Sequence, residues 1–208
     1  MKGLVLKDLY MLKSYAKGYL LMAVGFIAVS VVNDRNLFFI IYPCLLCSIL
    51  PITLISYDEK SRWMQYSAAL PYSRSQIVSV KYLLGLVMQV GMIIFSMLAQ
   101  TIRMAAAGTF SSNDMIVLVL MLIVITFLPP ALCLPFIFRY GSEKGRFIYY
   151  FMIGILCGGG VSASRFVIND LTAEVTVSAG LTAAAAAVII LYAASWYLSI
   201  RLFAKREL

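Results

Sequence analysis

The side chains that could carry chemistry are few in this chain, and their spacing speaks against most enzyme classes. Cys44 and Cys47 have the C-x-x-C spacing of a redox or zinc pair, but the chain has no histidine and no second pair of cysteines. Both residues, like Cys133 and Cys157, lie inside apolar runs, where hydrocarbon disfavours the thiolate form. We therefore expect the cysteines to be small residues of a membrane core.

The positions of the acidic residues also speak against catalysis or proton transport within the membrane. All nine fall in loops, at the ends of apolar runs or in the N-terminal segment. An intramembrane aspartyl protease needs paired acids within its spans, and a proton-coupled pump usually carries an ionisable residue at depth. No GxxxxGK[ST] phosphate-binding loop occurs either. The sequence therefore predicts a chain that is not an enzyme and binds no cofactor or metal, so any ATP hydrolysis must occur in another polypeptide.

The composition is that of a membrane protein. Of 208 residues, 62% are hydrophobic and 12% are charged, whereas soluble domains carry about 25% charged residues. Six apolar runs predict six transmembrane helices in a single all-α membrane domain covering residues 1–208. The predicted spans cover residues 18–32, 37–56, 81–102, 115–138, 147–163 and 175–203. We expect Pro43 and Pro51 to kink the second span, and Pro129, Pro130 and Pro135 to interrupt the fourth.

Lysine and arginine are distributed asymmetrically between the alternate loops. With the N-terminus inside, every one of them lies on the cytoplasmic side except Arg35, Arg103 and Arg165. This asymmetry predicts that both termini are cytoplasmic and supports an even number of spans. The net charge of +8 then reflects topology and anionic lipid, and no motif for binding nucleic acid accompanies it.

Residues 1–17 are predicted to form a basic amphipathic helix that lies along the membrane interface. At helical spacing its lysines share one side, namely Lys2, Lys7, Lys13 and Lys17. Asp8 breaks the pattern because it falls on the apolar side. It is either a charge tolerated near the surface or the partner of an arginine in a neighbouring loop. A cleaved signal peptide over residues 1–32 is an alternative for this region.

The loop at residues 57–80 is the richest in polar and aromatic side chains. Residues 58–62 mix both charges, and Trp63, Met64 and Tyr66 follow. This composition predicts a short helix with one face against protein and the other against water or lipid headgroups. Pro71 ends it, and Ser73 or Ser75 can cap the next helix. A simpler alternative is an interfacial loop held by a tryptophan anchor.

Two further features lie inside the predicted spans. Gly154 and Gly158 have the G-x-x-x-G spacing that lets helices approach closely. They could pack within one subunit, form a dimer contact or belong to a flexible re-entrant turn. Gln89 is the most obvious deep polar side chain, and it either forms a hydrogen bond between helices or lines a transport path.

The pattern DEKSRWMQY…LPYSRSQIVSVKY resembles small bacterial ABC transporter permeases of the type-2 exporter class. The similar segment MKGLVLKDLYMLK begins the chain, and the hydropathy profile matches loosely over its whole length. The positions that match the loop pattern of this class are Asp58, Glu59, Lys60, Trp63, Leu70, Pro71, Arg74, Lys81 and Tyr82.

This resemblance implies a multi-pass permease of the bacterial cell membrane. Two permease subunits, identical or different, would pair and bind two separate ATPase subunits that hold ATP and magnesium. The loop would contain a coupling helix, and the N-terminal helix would be an elbow that includes Lys2, Lys7, Asp8 and Lys13. The residues implied in ATPase coupling are Asp58, Glu59, Lys60, Ser61, Arg62 and Trp63.

The resemblance also implies a class of cargo. Relatives export amphipathic peptides or drugs, whereas the short external loops here put export of a large polymer in doubt. The alternative is a non-transport membrane partner, an immunity or sensor subunit that merely binds an ATPase or a peptide.

Overall fold

The chain is almost entirely helical in the part that the computed structural model describes, which comprises residues 2–15, 17–32, 38–67, 72–108, 111–167 and 173–204. This confirms the predicted all-α class. The helices of these residues are α1 (Lys2–Tyr15), α2 (Lys17–Val32), α3 (Phe38–Ser48), α4 (Leu50–Lys60), α5 (Trp63–Ser67), α6 (Arg74–Ala107), α7 (Ser112–Tyr140), α8 (Ser142–Val167) and α9 (Ala173–Ala204).

Four helical stretches among the described residues are long and apolar enough to cross a bilayer. They are Phe38–Lys60, Arg74–Ala106, Ser112–Tyr140 and Ala179–Ala204. A fifth is present if α1 and α2, which meet at a bend of 62°, together form one broken span. The described residues thus support four or five spans. The predicted span at 147–163 lies within α8, where no side chain from residue 156 onward is described.

The second predicted span consists of two helices, α3 and α4, which meet at Ile49. Pro51 occupies the first turn of α4, where proline costs little because the first N–H groups of a helix have no partner within it. The structure therefore shows a helix break at Ile49, two residues before Pro51, within a stretch that is still long enough to be a single span. Pro43, by contrast, lies inside α3 without breaking it.

The prediction that prolines interrupt the fourth span is wrong, because α7 is continuous from Ser112 to Tyr140. Pro129, Pro130 and Pro135 all lie inside this helix, and all three are buried. Each proline removes one backbone donor, but in membrane helices neighbouring elements and local adjustments can satisfy the freed groups. Helix α7 packs along α9 and also contacts α3 and α8, so it is supported on several sides.

The start of helix α6 is set by a capping interaction rather than by the beginning of the apolar run. Ser73 is its N-cap, and the Ser73 Oγ accepts a hydrogen bond from the Gln76 N–H while the Gln76 side chain accepts one from the Ser73 N–H. This capping box confirms Ser73 as a cap. Helix α6 therefore begins at Arg74, seven residues before the predicted start of the third span at Lys81. Pro71 lies outside the described residues.

Helix α1 buries only part of the predicted apolar side. Leu4 and Leu12 are buried, whereas Leu9 is 45% exposed. Together with Asp8, Leu4 and Leu12 form a row at four-residue spacing that faces α4 and α6. The buried face of α1 is therefore a narrow stripe with a carboxylate at its centre.

Candidate functional site: a buried charge cluster beside an exposed turn

Four charged side chains meet where α1, α4 and α6 converge. They are Lys7, Asp8, Asp58 and Lys81, which we call the charge cluster. The Lys7 Nζ lies 2.5 Å from the Asp58 Oδ1 and 3.1 Å from the Asp8 Oδ1. The Lys81 Nζ lies 2.5 Å from the Asp58 Oδ2 and 2.8 Å from the Asp8 Oδ2. Each ammonium group therefore contacts both carboxylates, and the cluster is electrically neutral.

The cluster is almost completely removed from solvent. The side chains of Asp8, Asp58 and Lys81 are 1%, 1% and 2% exposed, and only Lys7 remains accessible, at 24%. Taking such charges out of water costs several kcal/mol per ion, and close pairing is what offsets that cost. Any movement that separates α1, α4 and α6 at this point would expose uncompensated charges, so the cluster holds the three helices in register.

Two of the residues assigned to the N-terminal helix lie differently from expectation. Asp8 is not a surface charge, and its partners are the lysines of the cluster rather than an arginine. Lys7 turns from the basic side of α1 toward Asp58. Lys13 is exposed as expected, and the Lys2 side chain lies outside the described part of the chain.

The residues after Asp58 extend the cluster toward the surface. The Lys7 Nζ lies 4.3 Å from the centre of the Trp63 ring, a distance suited to a cation–π interaction. Trp63 begins α5, and its ring centre is 5.7 Å from that of Tyr66. A single lysine therefore connects the short helix α5 to the carboxylates of α1 and α4.

Glu59 connects the same end of α4 to α8. Its Oε2 accepts a hydrogen bond of 2.7 Å from the N–H of Ser142, the first residue of α8. The first N–H groups of a helix lack partners within the helix and carry a partial positive charge, so a carboxylate is favourable there. Asp58 and Glu59 are adjacent in sequence, yet together they join four helices: α1, α4, α6 and α8.

The next three residues, Lys60, Ser61 and Arg62, form what we call the exposed turn, because all three are exposed. Arg62 has a φ of 54°, a left-handed conformation that few residues other than glycine adopt. The Arg62 C=O accepts hydrogen bonds from the N–H groups of Gln65 and Tyr66, and the Ser61 Oγ donates to the Asp58 C=O. The turn is therefore tied on one side to α5 and on the other to the last turn of α4.

The six residues implied in ATPase coupling thus occupy two environments. Lys60, Ser61 and Arg62 are exposed, Asp58 faces inward, and Glu59 and Trp63 are partly buried. Their role in coupling stays a prediction. In this arrangement the exposed turn can contact a partner directly, whereas the buried Asp58 cannot and instead joins the turn to α1 and α6.

Arg74 and Tyr82, which match the loop pattern, connect α6 to α9. The Arg74 Nη1 donates a hydrogen bond of 2.9 Å to the C=O of Ala204, where α9 ends. The Tyr82 hydroxyl lies 2.8 Å and 2.7 Å from the hydroxyls of Ser195 and Ser199. The Tyr82 ring also stacks on Trp196 at 5.6 Å between centres. Because Lys81 and Tyr82 are adjacent, one short stretch of α6 contacts the charge cluster on one side and α9 on the other.

The predictions about the spans have mixed outcomes. Gln89 is fully buried, and neither of its amide atoms has a hydrogen-bond partner among the described residues, so the expected bond between helices is not seen. A Cβ added at Gly154 would meet nothing within 4 Å among the described residues, so no described part of another helix approaches closely there. The surroundings of Gly158 lie outside the described part of α8. Cys44, Cys47 and Cys133 are buried free thiols.

The cluster partner that sequence reasoning missed is Lys81, although a signal was present. At helical spacing Lys81 shares a face with Val78 and Leu84, just as Asp8 shares one with Leu4 and Leu12. Two charges of opposite sign, each misplaced on an apolar helix face, indicate a buried ion pair.

Comparisons with known proteins place this geometry in a family. Searches of characterised proteins and of solved structures found no significant similarity. A family model described as ABC-2 family transporter protein matches residues 3–204, which include every residue of the charge cluster and the exposed turn. The chain therefore belongs to the ABC-2 family of transporter proteins and is a multi-pass membrane permease subunit whose family implies an ABC ATPase as its partner.

Proposed function

We propose that this permease subunit moves amphipathic peptides or hydrophobic small molecules out of the cell, driven by a separate ATPase that docks on the exposed turn. The observation that carries this proposal is the position of the turn. Lys60, Ser61 and Arg62 are exposed and bonded to the last turn of α4, directly beside a buried cluster that joins three helices.

The proposed mechanism is mechanical. When the ATPase subunits bind ATP and close, they displace the exposed turn and α5. The displacement reaches α4 through the backbone, α8 through Glu59, and α1 and α6 through the charge cluster. Since separating the cluster would leave charges unpaired in a dry environment, these helix ends move together rather than apart. Tyr82 and Arg74 carry the movement on to α9.

The proposed assembly contains two copies of the chain, or this chain and a related one, with two ATPase subunits. We place the complex in the bacterial cell membrane, with six spans in each permease subunit and both termini in the cytoplasm. The distribution of lysine and arginine supports this orientation, since all but Arg35, Arg103 and Arg165 then lie inside. ATP and magnesium belong to the partner, in keeping with a sequence that contains no phosphate-binding loop.

The proposed class of substrate rests on the apolar side chains that the helical bundle exposes. Many large apolar and aromatic side chains are exposed on the bundle, for example Phe95, Phe147 and Tyr150. Such surfaces favour an apolar or amphipathic cargo over a charged polymer. The same composition also suits contact with lipid, so the cargo has to be identified by transport.

The alternative function is a non-transport partner, an immunity or sensor subunit that binds an ATPase or a peptide. It would use the same exposed turn, but no solute would cross the membrane. The two functions therefore differ in transport rather than in docking.

Transport in reconstituted vesicles tests the proposal. The tagged chain is purified with its associated ATPase, placed in lipid vesicles, and given ATP with a fluorescent amphipathic peptide or a hydrophobic dye. We expect ATP-dependent accumulation of a probe in vesicles whose ATPase faces outward, together with faster ATP hydrolysis. A complex that hydrolyses ATP at one rate with every probe, and accumulates none, would support the non-transport function instead. Failure to recover any ATPase would contradict both.

A further inference from the structure

A cavity of about 400 Å³ opens between α7 and α9, and we call it the α7–α9 cleft. Its volume is within the range of sites that bind small molecules, about 300–1,000 Å³. The walls are apolar and include Leu132, Pro135, Leu191 and Leu198. Ser195 also lines the cleft, but its hydroxyl lies 2.8 Å from that of Tyr82. The cleft is therefore built for an apolar ligand.

The length of the cleft matches one leaflet of a bilayer. Its lining on α7 extends from Ala131 to Tyr140, and on α9 from Leu191 to Leu202. At 1.5 Å per residue these stretches are about 14 Å and about 16 Å long. The hydrocarbon core of a bilayer is about 30 Å thick, so one leaflet contributes about half of that. A transmembrane helix of a second copy would need a groove about twice as long.

One end of the cleft carries a positive charge. Arg139 lines the cleft at the end of α7, is exposed, and has its guanidinium carbon 5.1 Å from the centre of the Tyr140 ring. Within the described part of the chain, no carboxylate lies within 4.0 Å of it. Tyr140 beside it is half exposed, as is common for aromatic residues at the level of lipid headgroups.

We propose that the α7–α9 cleft binds one acyl chain of an anionic phospholipid, whose phosphate contacts Arg139. The acyl chain fills the apolar length of the cleft in the leaflet on the Arg139 side, and the guanidinium group binds the phosphate. A zwitterionic phospholipid fits the same walls, but its headgroup carries no net charge to favour the site. This site is independent of the transported cargo and of the exposed turn.

Native mass spectrometry of the full-length chain tests this site. The protein is purified in detergent and mixed with phosphatidylglycerol or phosphatidylcholine of identical acyl chains, and the occupancy of each lipid is measured. We expect Arg139→Gln to lower phosphatidylglycerol binding about fivefold, equivalent to the ~1 kcal/mol that one cation contributes to binding an anionic lipid. Phosphatidylcholine carries the same phosphate but no net charge, so its binding should fall less than that of phosphatidylglycerol. Ala194→Leu, which fills the cleft wall, should lower the binding of both lipids.

The matched control is Arg201→Gln. Arg201 is an exposed arginine in the last turn of α9, as Arg139 is in the last turn of α7. Its guanidinium lies over the Tyr197 ring, and it does not line the cleft. Its substitution should leave the preference for phosphatidylglycerol intact. Equal losses of phosphatidylglycerol binding in the Arg139 and Arg201 variants would show that general surface charge attracts the lipid, and would overturn the proposal. So would unchanged binding in Ala194→Leu, or disulfide cross-linking of two chains through Leu198→Cys, which would make a second copy the occupant.

Discussion

Replacing Lys81 by methionine is expected to lower the free energy of unfolding by about 3–5 kcal/mol, the usual cost of removing one partner from a buried ion pair. Methionine matches the length of the lysine chain but leaves Asp8 and Asp58 with one ammonium group between them. Both carboxylates are 1% exposed, so water cannot replace the lost contact. Denaturant titration of the purified protein in detergent measures the change.

A second substitution shows whether charge balance is the cause. Asp8→Asn in the Lys81→Met background restores neutrality and leaves Lys7 paired with Asp58. We expect it to recover much of the lost stability, a sign that the two changes are coupled. Lys13→Met is the control, because Lys13 is an exposed lysine of the same helix α1. The charge cluster does not hold the helices together if Lys81→Met is as stable as the wild type. The same conclusion follows if the double variant is less stable than Lys81→Met alone.

Reversing the charges of the exposed turn, Lys60→Glu with Arg62→Glu, is expected to reduce transport at least tenfold while ATP hydrolysis continues. A tenfold loss corresponds to about 1.4 kcal/mol, and placing like charges against each other at an interface costs several kcal/mol. Both side chains are exposed and lie outside the charge cluster, and surface changes of this kind usually alter stability by about 0.5 kcal/mol or less. The measurement compares ATP hydrolysis with probe accumulation in the same vesicles.

The control for this variant is Lys13→Glu, a charge reversal of an exposed lysine on α1. It should leave the ratio of transport to hydrolysis unchanged. Normal transport by the double reversal would show that the ATPase does not couple through this turn. An equal loss in the control would indicate a general effect of charge at this membrane surface.

Features set by neighbouring residues could be predicted from the sequence. Ser73 or Ser75 was expected to cap α6, and Ser73 does so, because the capping box needs only Ser73 and Gln76. The helix break in the second span lies two residues before Pro51 for a similar reason, since proline is favourable at the start of a helix and unfavourable within one. The all-α class follows from long apolar runs, which in lipid must satisfy their backbone groups as helices.

Features set by distant residues could not be predicted in the same way. Asp8 and Asp58 are far apart in sequence, and nothing local shows that Lys7 and Lys81 bring them together. The uninterrupted course of α7 past Pro129 and Pro135 likewise depends on helices that pack beside it. Asp8 did stand out as misplaced on an apolar face, so the sequence indicated that it needed a partner without identifying one.

The residues assigned to coupling illustrate the same division. Their composition alone predicts a short helix with one face against protein and the other against water or lipid headgroups, but not which residue lies on which face. Asp58 faces the cluster, Glu59 binds the first N–H of α8, and the exposed turn follows. Which of two adjacent acidic residues faces inward depends on the helical phase of α4, and that phase is fixed by packing against α6 and α8.

The central claim is that the exposed turn receives the ATPase on the cytoplasmic side, and the accessibility of Ser61→Cys tests it most directly. Cys44, Cys47 and Cys133 are buried, and the fourth cysteine, Cys157, is replaced by serine, so the Cys157→Ser chain provides the background for labelling with a membrane-impermeant maleimide. We predict labelling at position 61 in inside-out vesicles, protection when the ATPase is bound, and no labelling above background in intact cells. Labelling in intact cells would place the turn outside, where no ATPase could reach it, and would contradict the account.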